Sequence, residues 1–290
     1  MSASAASPKQ LAFNESQKRA LLTLLTDDDL EVYYSIRNTI VEQGAGARDW
    51  LKDHALSSDP VLRRRSQEIV DHFERRDADN SFLIFCLKNG EDLDVERGAW
   101  LLSKTQYPQI NISAYHALLD SYAGDLKDRI DFGARPDRIL ATINYYIYQE
   151  QKFLGNVKDY YDPDNSYLSM VVDRKMGNPI SLSLLYILVA RRLHLPVAGI
   201  GMPGHFICRF QSSREEIYID PFRKGKLMTK GECMKILIHS GHDYHEGFLS
   251  PVTPRQILKR MCSNLHHTYT THDMADEAMR LQRYMVALSK

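Results

Sequence analysis

Three polar residues in the second half of the chain have types and an order that suit nucleophilic catalysis. Ser181 follows Asn178 and Pro179 in GNPISLSLLY, which we interpret as the start of a buried helix. His205 stands in MPGHFICRF and Asp220 in YIDPF, two stretches with strand character. A serine hydroxyl becomes a good nucleophile when a base takes its proton and a third group orients that base. Ser181, His205 and Asp220 would supply these three roles in order.

The start of a helix is a favourable place for such a nucleophile. The helix dipole stabilises negative charge there, and free N–H groups of the first turn can bind an oxyanion. A structural interpretation of Ser181 is also open. With Asn178 as cap and Pro179 in the first turn, the Ser181 hydroxyl would satisfy free N–H groups of the helix. Ser183 is a poorer nucleophile because it lies deeper among apolar neighbours.

His205 and Asp220 both fall at strand ends, where a side chain can reach over the edge of a rigid sheet. Pro203 and Gly204 would shape the approach to one strand and leave His205 at its exposed beginning. Pro221 would stop the other strand directly after Asp220. A purely structural alternative is that His205 and Asp220 hydrogen-bond only to tie the sheet together.

The cysteines do not offer an obvious nucleophile. The chain has four, far apart and without a CxxC pair: Cys86, Cys208, Cys233 and Cys262. This spacing fits reduced thiols in a cytoplasm better than a disulfide framework. Cys208 lies three residues after His205, so on one strand the two side chains would point to opposite faces. We expect Cys208 to be a small core residue.

No metal or cofactor site is predicted. The stretch HSGHDYHEG places His239, His242 and His245 three apart, but in a predicted loop without fixed geometry. Cys262 and His266 share a helix face, a pairing that is common by chance. The glycines of GIGMPG lead into a strand and not into a helix, so they fail the test for a dinucleotide-binding loop.

Composition narrows the class of protein. Lys+Arg and Asp+Glu both total 37 in 290 residues, which gives no electrostatic case for nucleic acid or for an anionic membrane. No stretch approaches the ~18 consecutive apolar residues of a membrane span. The N-terminal MSASAASPKQLAF has no apolar run for a signal peptide. We therefore expect a cytoplasmic protein with a flexible leader over residues 1–13.

The elements that must position these residues change in character along the chain. Residues 14–150 have helical periodicity, and 26–44 and 57–77 resemble two HEAT-like repeat units. After this helical region we predict a loop at 156–168 and a short helix at 165–177, capped by Asn165 or Ser166. A buried helix at 179–193 and strands at 197–202, 205–210 and 216–220 follow. Two closing helices are predicted at 257–270 and 275–288.

Four motifs in this order make the chain resemble the SirB-type family of the transglutaminase-like superfamily. They are NSYL (165–168), GNPISLSLLY (177–186), PGHF (203–206) and IDPF (219–222), and 92–110 matches the family's upstream segment. The resemblance implies an α+β fold: a papain-like core with a small antiparallel sheet, preceded by helices and followed by a TPR-like helix pair. The corresponding domains are a leader (1–13), a helical region (14–150), the core (151–250) and a helical hairpin (251–290).

The resemblance also implies roles for single residues. His205 and Asp220 fall on the histidine and aspartate of the superfamily's catalytic triad, and the cysteine position falls on or near Pro179. Proline cannot be a nucleophile, so we predict a pseudoenzyme that binds a protein or peptide partner, with a regulatory role suggested by the family. Its predicted binding residues are Asn165, Tyr167, Asn178, Pro203 and Gly204. The alternative is an amide or ester hydrolase, or an acyltransferase, that uses Ser181.

Overall fold

The computed structural model describes residues 13–212, 215–239, 241 and 245–290. Apart from Phe13, the predicted leader lies outside these residues. The chain divides into two compact units, one up to Asn80 and one from Ser81 to Lys290. The domain limits expected from the sequence near residues 150 and 250 both fall inside the second unit.

The first unit is helical. Its helices are α1 (Glu15–Leu25), α2 (Leu30–Glu42), α3 (Ala45–His54) and the first part of α4 (Pro60–Lys88). Inside it, buried Arg65 donates hydrogen bonds to the carbonyls of Leu25 and Asp27, at 2.8 and 2.6 Å. The stretches 26–44 and 57–77, which were predicted as HEAT-like units, contain α2 and the first part of α4. Helix α3 lies within the predicted helical region but was not predicted as a separate element, and it begins after Gly44 without a side-chain cap.

The second unit combines helices with two small sheets. Its helices are α5 (Val95–Gln106), α6 (Ile112–Lys127), α7 (Pro136–Asn144), α8 (Leu168–Arg174), α9 (Pro179–Arg192), α10 (Lys230–His239), α11 (Pro254–Thr271) and α12 (Ala275–Ala287). A π-helical turn, Tyr145–Glu150, continues α7. The strands β1 (Leu154–Gly155) and β2 (Met176–Gly177) pair in parallel. The strands β3 (Val197–Ile200), β4 (Ile207–Gln211), β5 (Glu216–Asp220) and β6 (Lys226–Met228) form an antiparallel sheet in that order.

Helix α9 lies at the centre of the second unit. Every residue from Pro179 to Ala190 is buried, as predicted from its apolar faces. The helix packs against α6, α8, α11 and strands β3 and β4. Because these neighbours surround α9, its N-terminal turn is held in a fixed place relative to the sheet.

The closing helices and the strands lie close to their predicted positions. Helices α11 and α12 pack on each other and are connected through His272 and Asp273, which has a φ of 56°. His205 precedes β4, so the predicted strand at 205–210 begins two residues too early. Strand β6 and helix α10 were not predicted. None of the described helices has the length and apolar character needed to cross a bilayer.

The prediction for the short helix α8 was wrong at both ends. The helix begins at Leu168 after Tyr167, which makes no side-chain capping bond, and it ends at Arg174. The side chains expected to cap it are used elsewhere. Asn165 donates to the carbonyl of Asp159 at 2.7 Å, and the Ser166 hydroxyl accepts from the Asn178 amide at 2.7 Å.

Candidate functional site

His205 and Asp220 form a hydrogen-bonded pair. The Nε2 atom of His205 lies 2.9 Å from Oδ2 of Asp220. Asp220 is fully buried at the end of β5, and its Oδ1 accepts the N–H of Arg223 at 3.2 Å. A buried carboxylate needs donors, so the pair is satisfied when Nε2 carries the proton. Nδ1 is then a free acceptor, and it has no partner in the part of the chain that the structure describes.

The Ser181 hydroxyl belongs to the cap of helix α9. Ser181 is completely buried, and its Oγ donates to the carbonyl of Asn165 at 2.6 Å. The same Oγ accepts the N–H of Asn178 at 3.1 Å, and the N–H of Ser181 donates to Oδ1 of Asn178 at 3.0 Å. This reciprocal arrangement is a capping box, with Pro179 as the first helical residue.

Ser183 and Cys208 lie in the core behind the site. Ser183 is fully buried, with its Oγ 3.4 Å from the carbonyl of Phe206. The thiol of Cys208 donates to the carbonyl of Ser183 at 3.5 Å. Burial raises the pKa of Cys208 far above the usual range of a thiol. Cys208 is therefore a core residue, as predicted.

A cavity of about 190 Å³ opens beside His205. Four parts of the second unit line it: the start of α9 (Asn178, Pro179, Ile180), the β3–β4 connection (Gly204, His205, Phe206), the loop before α8 (Tyr160, Tyr161, Ser166) and one face of α11 (Arg260, Asn264, His267, Thr268). At the start of α9 it is thus Pro179, and not Ser181, that lines the cavity together with His205.

The predicted binding residues divide into two groups. Asn178 and Gly204 line the cavity, while Asn165, Tyr167 and Pro203 are not among its lining residues. Asn165 connects the loop to the start of α9, because its backbone carbonyl accepts from the N–H of Asn178 at 3.1 Å. Tyr167 is fully buried, with its hydroxyl 2.8 Å from that of Tyr269.

Sequence reasoning missed the contributions of α11 and of the loop before α8. The α11 residues stand at positions 260, 264, 267 and 268, a spacing that places them on one helix face. This spacing can be recognised in the sequence, but no neighbouring residue indicates which part of the protein the helix face covers. The loop supplies two exposed aromatic rings. The ring of Tyr160 is 6.0 Å from that of Phe222, and the ring of Tyr161 is 5.9 Å from that of His267.

The described side chains form no candidate metal site. Within residues 13–212, 215–239, 241 and 245–290, no group of three or more His, Cys, Asp or Glu side chains could hold an ion. His239 bonds to the carbonyl of Lys235 at 2.6 Å, and His245 accepts from the N–H of Gly247 at 3.1 Å. His242 lies outside the described residues.

Comparison with known proteins identifies the family. The sequence profile of the Transglutaminase-like superfamily matches residues 113–263, just over half of the chain. The chain belongs to the transglutaminase-like superfamily. The match spans Pro179, His205, Asp220 and the first part of α11. It is made at the level of the superfamily, and the SirB-type assignment stays a prediction.

Curated proteins similar to the chain include two UPF0162 proteins, of which it covers about two thirds, and an F-box protein, of which it covers about a fifth. A UPF0162 protein of Xylella fastidiosa is 34% identical over 196 residues, which cover 66% of this chain and 70% of that protein. A UPF0162 protein of Pseudomonas aeruginosa is 26% identical over 191 residues, 64% of this chain and 68% of that protein. F-box only protein 21 of Homo sapiens is 37% identical over 136 residues, 44% of this chain and 21% of that protein. No solved structure matches the chain at a significant level.

Proposed function

We propose that this transglutaminase-like chain binds a protein or peptide partner in the cavity beside His205 and performs no catalysis there. One observation carries the proposal: Pro179, the first residue of α9, lines the cavity together with His205. In the proposal Pro179 stands where an active relative would hold its nucleophile. A proline offers neither a nucleophilic atom nor a backbone N–H for an oxyanion.

The state of the other nucleophilic groups supports the proposal. The Ser181 side chain is fully buried, and its hydroxyl donates to the backbone carbonyl of Asn165. All four cysteines are buried, and none lines the cavity as the described residues define it. The pair of His205 and Asp220 thus has an acceptor at Nδ1 but no activated nucleophile beside it.

The mouth of the cavity supports partner binding. Tyr160, Tyr161 and Val157 are exposed on the loop beside it. Exposed aromatic side chains next to a pocket are typical anchors of protein interfaces. The HEAT-like and TPR-like character of the helices, a SirB-type identity, a regulatory role and a cytoplasmic location are further parts of this proposal, and they rest on the sequence motifs.

A panned peptide library tests the proposal. Random peptides displayed with free C-termini are selected on the full chain and then measured against two variants. Asn264→Trp places a large ring in the cavity, and Ser263→Trp places the same ring on the exposed side of α11 as a control. We expect Asn264→Trp to weaken selected peptides by about tenfold or more and Ser263→Trp to leave them within about twofold. Equal binding to both variants would refute the cavity as the binding site.

A second candidate function is favoured by the intact pair of His205 and Asp220. A serine-dependent hydrolase or acyltransferase would use Ser181, or Ser166, which lines the cavity and whose Oγ accepts from the Asn178 amide. A fluorophosphonate probe decides between the two functions. Labelling of the folded chain that is lost in Ser181→Ala or in Ser166→Ala would establish the hydrolase. An unlabelled, folded chain is the result that the binding proposal requires.

A further inference from the structure

A guanidinium without a protein partner faces the cavity. Arg260 on α11 is half-buried, and no hydrogen bond or ion pair joins it to another described residue. Arg255, one turn earlier on the same helix, shows the usual situation. It donates to four backbone carbonyls, at 2.8 to 3.1 Å. Because arginine stays charged and offers five donors, an unpaired guanidinium in a cavity wall points to an anion as its missing partner.

The hydroxyl of a buried residue on the same helix also lacks a protein partner. Thr268 lines the cavity at 7% exposure, and among the described residues its Oγ1 has no hydrogen bond. Two nearby threonines of α11 behave differently. Thr270 and Thr271 donate to the carbonyls of His266 and His267, at 2.8 and 2.9 Å. This Oγ1 is not among the fully enclosed unbonded atoms of the described residues, so it is open to the cavity and free to bond to a ligand there, which is an observation independent of Arg260.

The remaining walls favour negative charge as well. The first turn of α9 contributes the positive end of a fourteen-residue helix. There the N–H of Ser181 is bonded to Asn178, whereas the N–H of Ile180 has no partner among the described residues. Among the described residues, no carboxylate lines the cavity. Asp220 is fully buried and bonded to His205, so its charge does not face a ligand directly.

We infer that the cavity binds a carboxylate group, presented by the C-terminal residue of a peptide or by a small free carboxylic acid. Arg260 provides a planar fork that matches a carboxylate, and Thr268 and Asn264 provide further polar contacts. The cavity is smaller than the roughly 300–1,000 Å³ of pockets that hold drug-sized ligands, so it suits one terminal residue or a small acid. This inference rests on the proposed function, in which the same cavity binds a partner.

Neutral and charged probes of equal shape test the inference. The full chain, labelled with ¹⁵N, is titrated at constant ionic strength and pH 7 with N-acetyl-alanyl-alanine and with its C-terminal amide, and then with propionate and propionamide. We expect the acids to shift the cavity resonances and to bind about tenfold or more tightly than the amides. A dipeptide acid that binds more tightly than propionate identifies a peptide C-terminus, and equal affinity identifies a small free acid. Inorganic phosphate binding more tightly than both would overturn the carboxylate assignment.

Variants show whether the predicted groups cause the preference. Arg260→Gln is expected to reduce the affinity for the acids to that for the amides, and Thr268→Val to reduce it by about threefold or more. Lys259→Gln removes the same charge from the neighbouring exposed position and should change affinity by less than about twofold. An unchanged acid preference in Arg260→Gln would refute the inference. Thermal unfolding of each variant confirms that it is folded.

The two proposals fail in different ways. If library peptides bind the cavity equally well when their C-termini are amidated, and propionate binds no more tightly than propionamide, the carboxylate inference is wrong and the binding function stands. If selected peptides ignore Asn264→Trp, the cavity is not the binding site, and the proposed function fails together with the inference.

Discussion

The role of Ser181 can be measured through stability. Ser181→Ala removes an Oγ atom that accepts the N–H of Asn178 at 3.1 Å and shares its one proton between the carbonyls of Asn165, at 2.6 Å, and Asn178, at 3.1 Å. The Asn178 carbonyl keeps its bond from the N–H of Leu182. The N–H of Asn178 and the carbonyl of Asn165 also bond to each other at 3.1 Å, so neither is left without a partner. The expected cost is therefore two ordinary hydrogen bonds without a further desolvation penalty, about 2 kcal/mol.

Ser183→Ala is the matched control on the same helix. Ser183 is equally buried, but its hydroxyl makes one long contact of 3.4 Å. Its removal should cost less than about 1 kcal/mol. Equilibrium unfolding in urea measures both variants, provided that the slopes of the two transitions agree. A cost for Ser181→Ala no larger than for Ser183→Ala, or a gain in stability, would refute the capping role. A gain would instead be typical of a strained catalytic residue.

Two other features of the fold give further predictions. Burial raises the pKa of Cys86 and Cys233 to about 12, and the thiols of Cys208 and Cys262 are fully buried. Because thiolate is the reactive form, the folded chain should stay inert to a disulfide reagent from pH 7 to 9 and react with four thiols per chain only after denaturation. Arg255→Met should destabilise the chain by more than about 3 kcal/mol, measured by urea unfolding, because it removes four hydrogen bonds to backbone carbonyls, three of them buried.

Local patterns predicted the central parts of the fold. Helix α9 was identifiable because it is apolar on every face, and β5 because Pro221 ends an apolar run after Asp220. The capping box could also be anticipated from Asn178 and Ser181 at the right spacing. In each case the signal comes from residues within a few positions of one another.

Tertiary contacts determined what the sequence did not indicate. Asn165 and Ser166 have the composition of helix caps, but the fold uses their side chains to hold the loop and the start of α9. Strands β1 and β2 have two residues each, too few for any periodicity. The position of α11 against the site depends on how whole helices pack, so Arg260 and Thr268 could not be assigned to a cavity from the sequence.

The placement of Pro179 beside His205 is tested most directly by a new thiol at that position. In Pro179→Cys the rate of alkylation by iodoacetamide is measured from pH 5 to 9, with Ser263→Cys as an exposed reference and Pro179→Cys/His205→Gln as the control. The helix N-terminus and the imidazole should lower the pKa of the new thiol, so at pH 6 it should react about tenfold or more faster than the reference. His205→Gln should remove most of this advantage. A rate equal to that of Ser263→Cys at every pH, unchanged by His205→Gln, would contradict the placement.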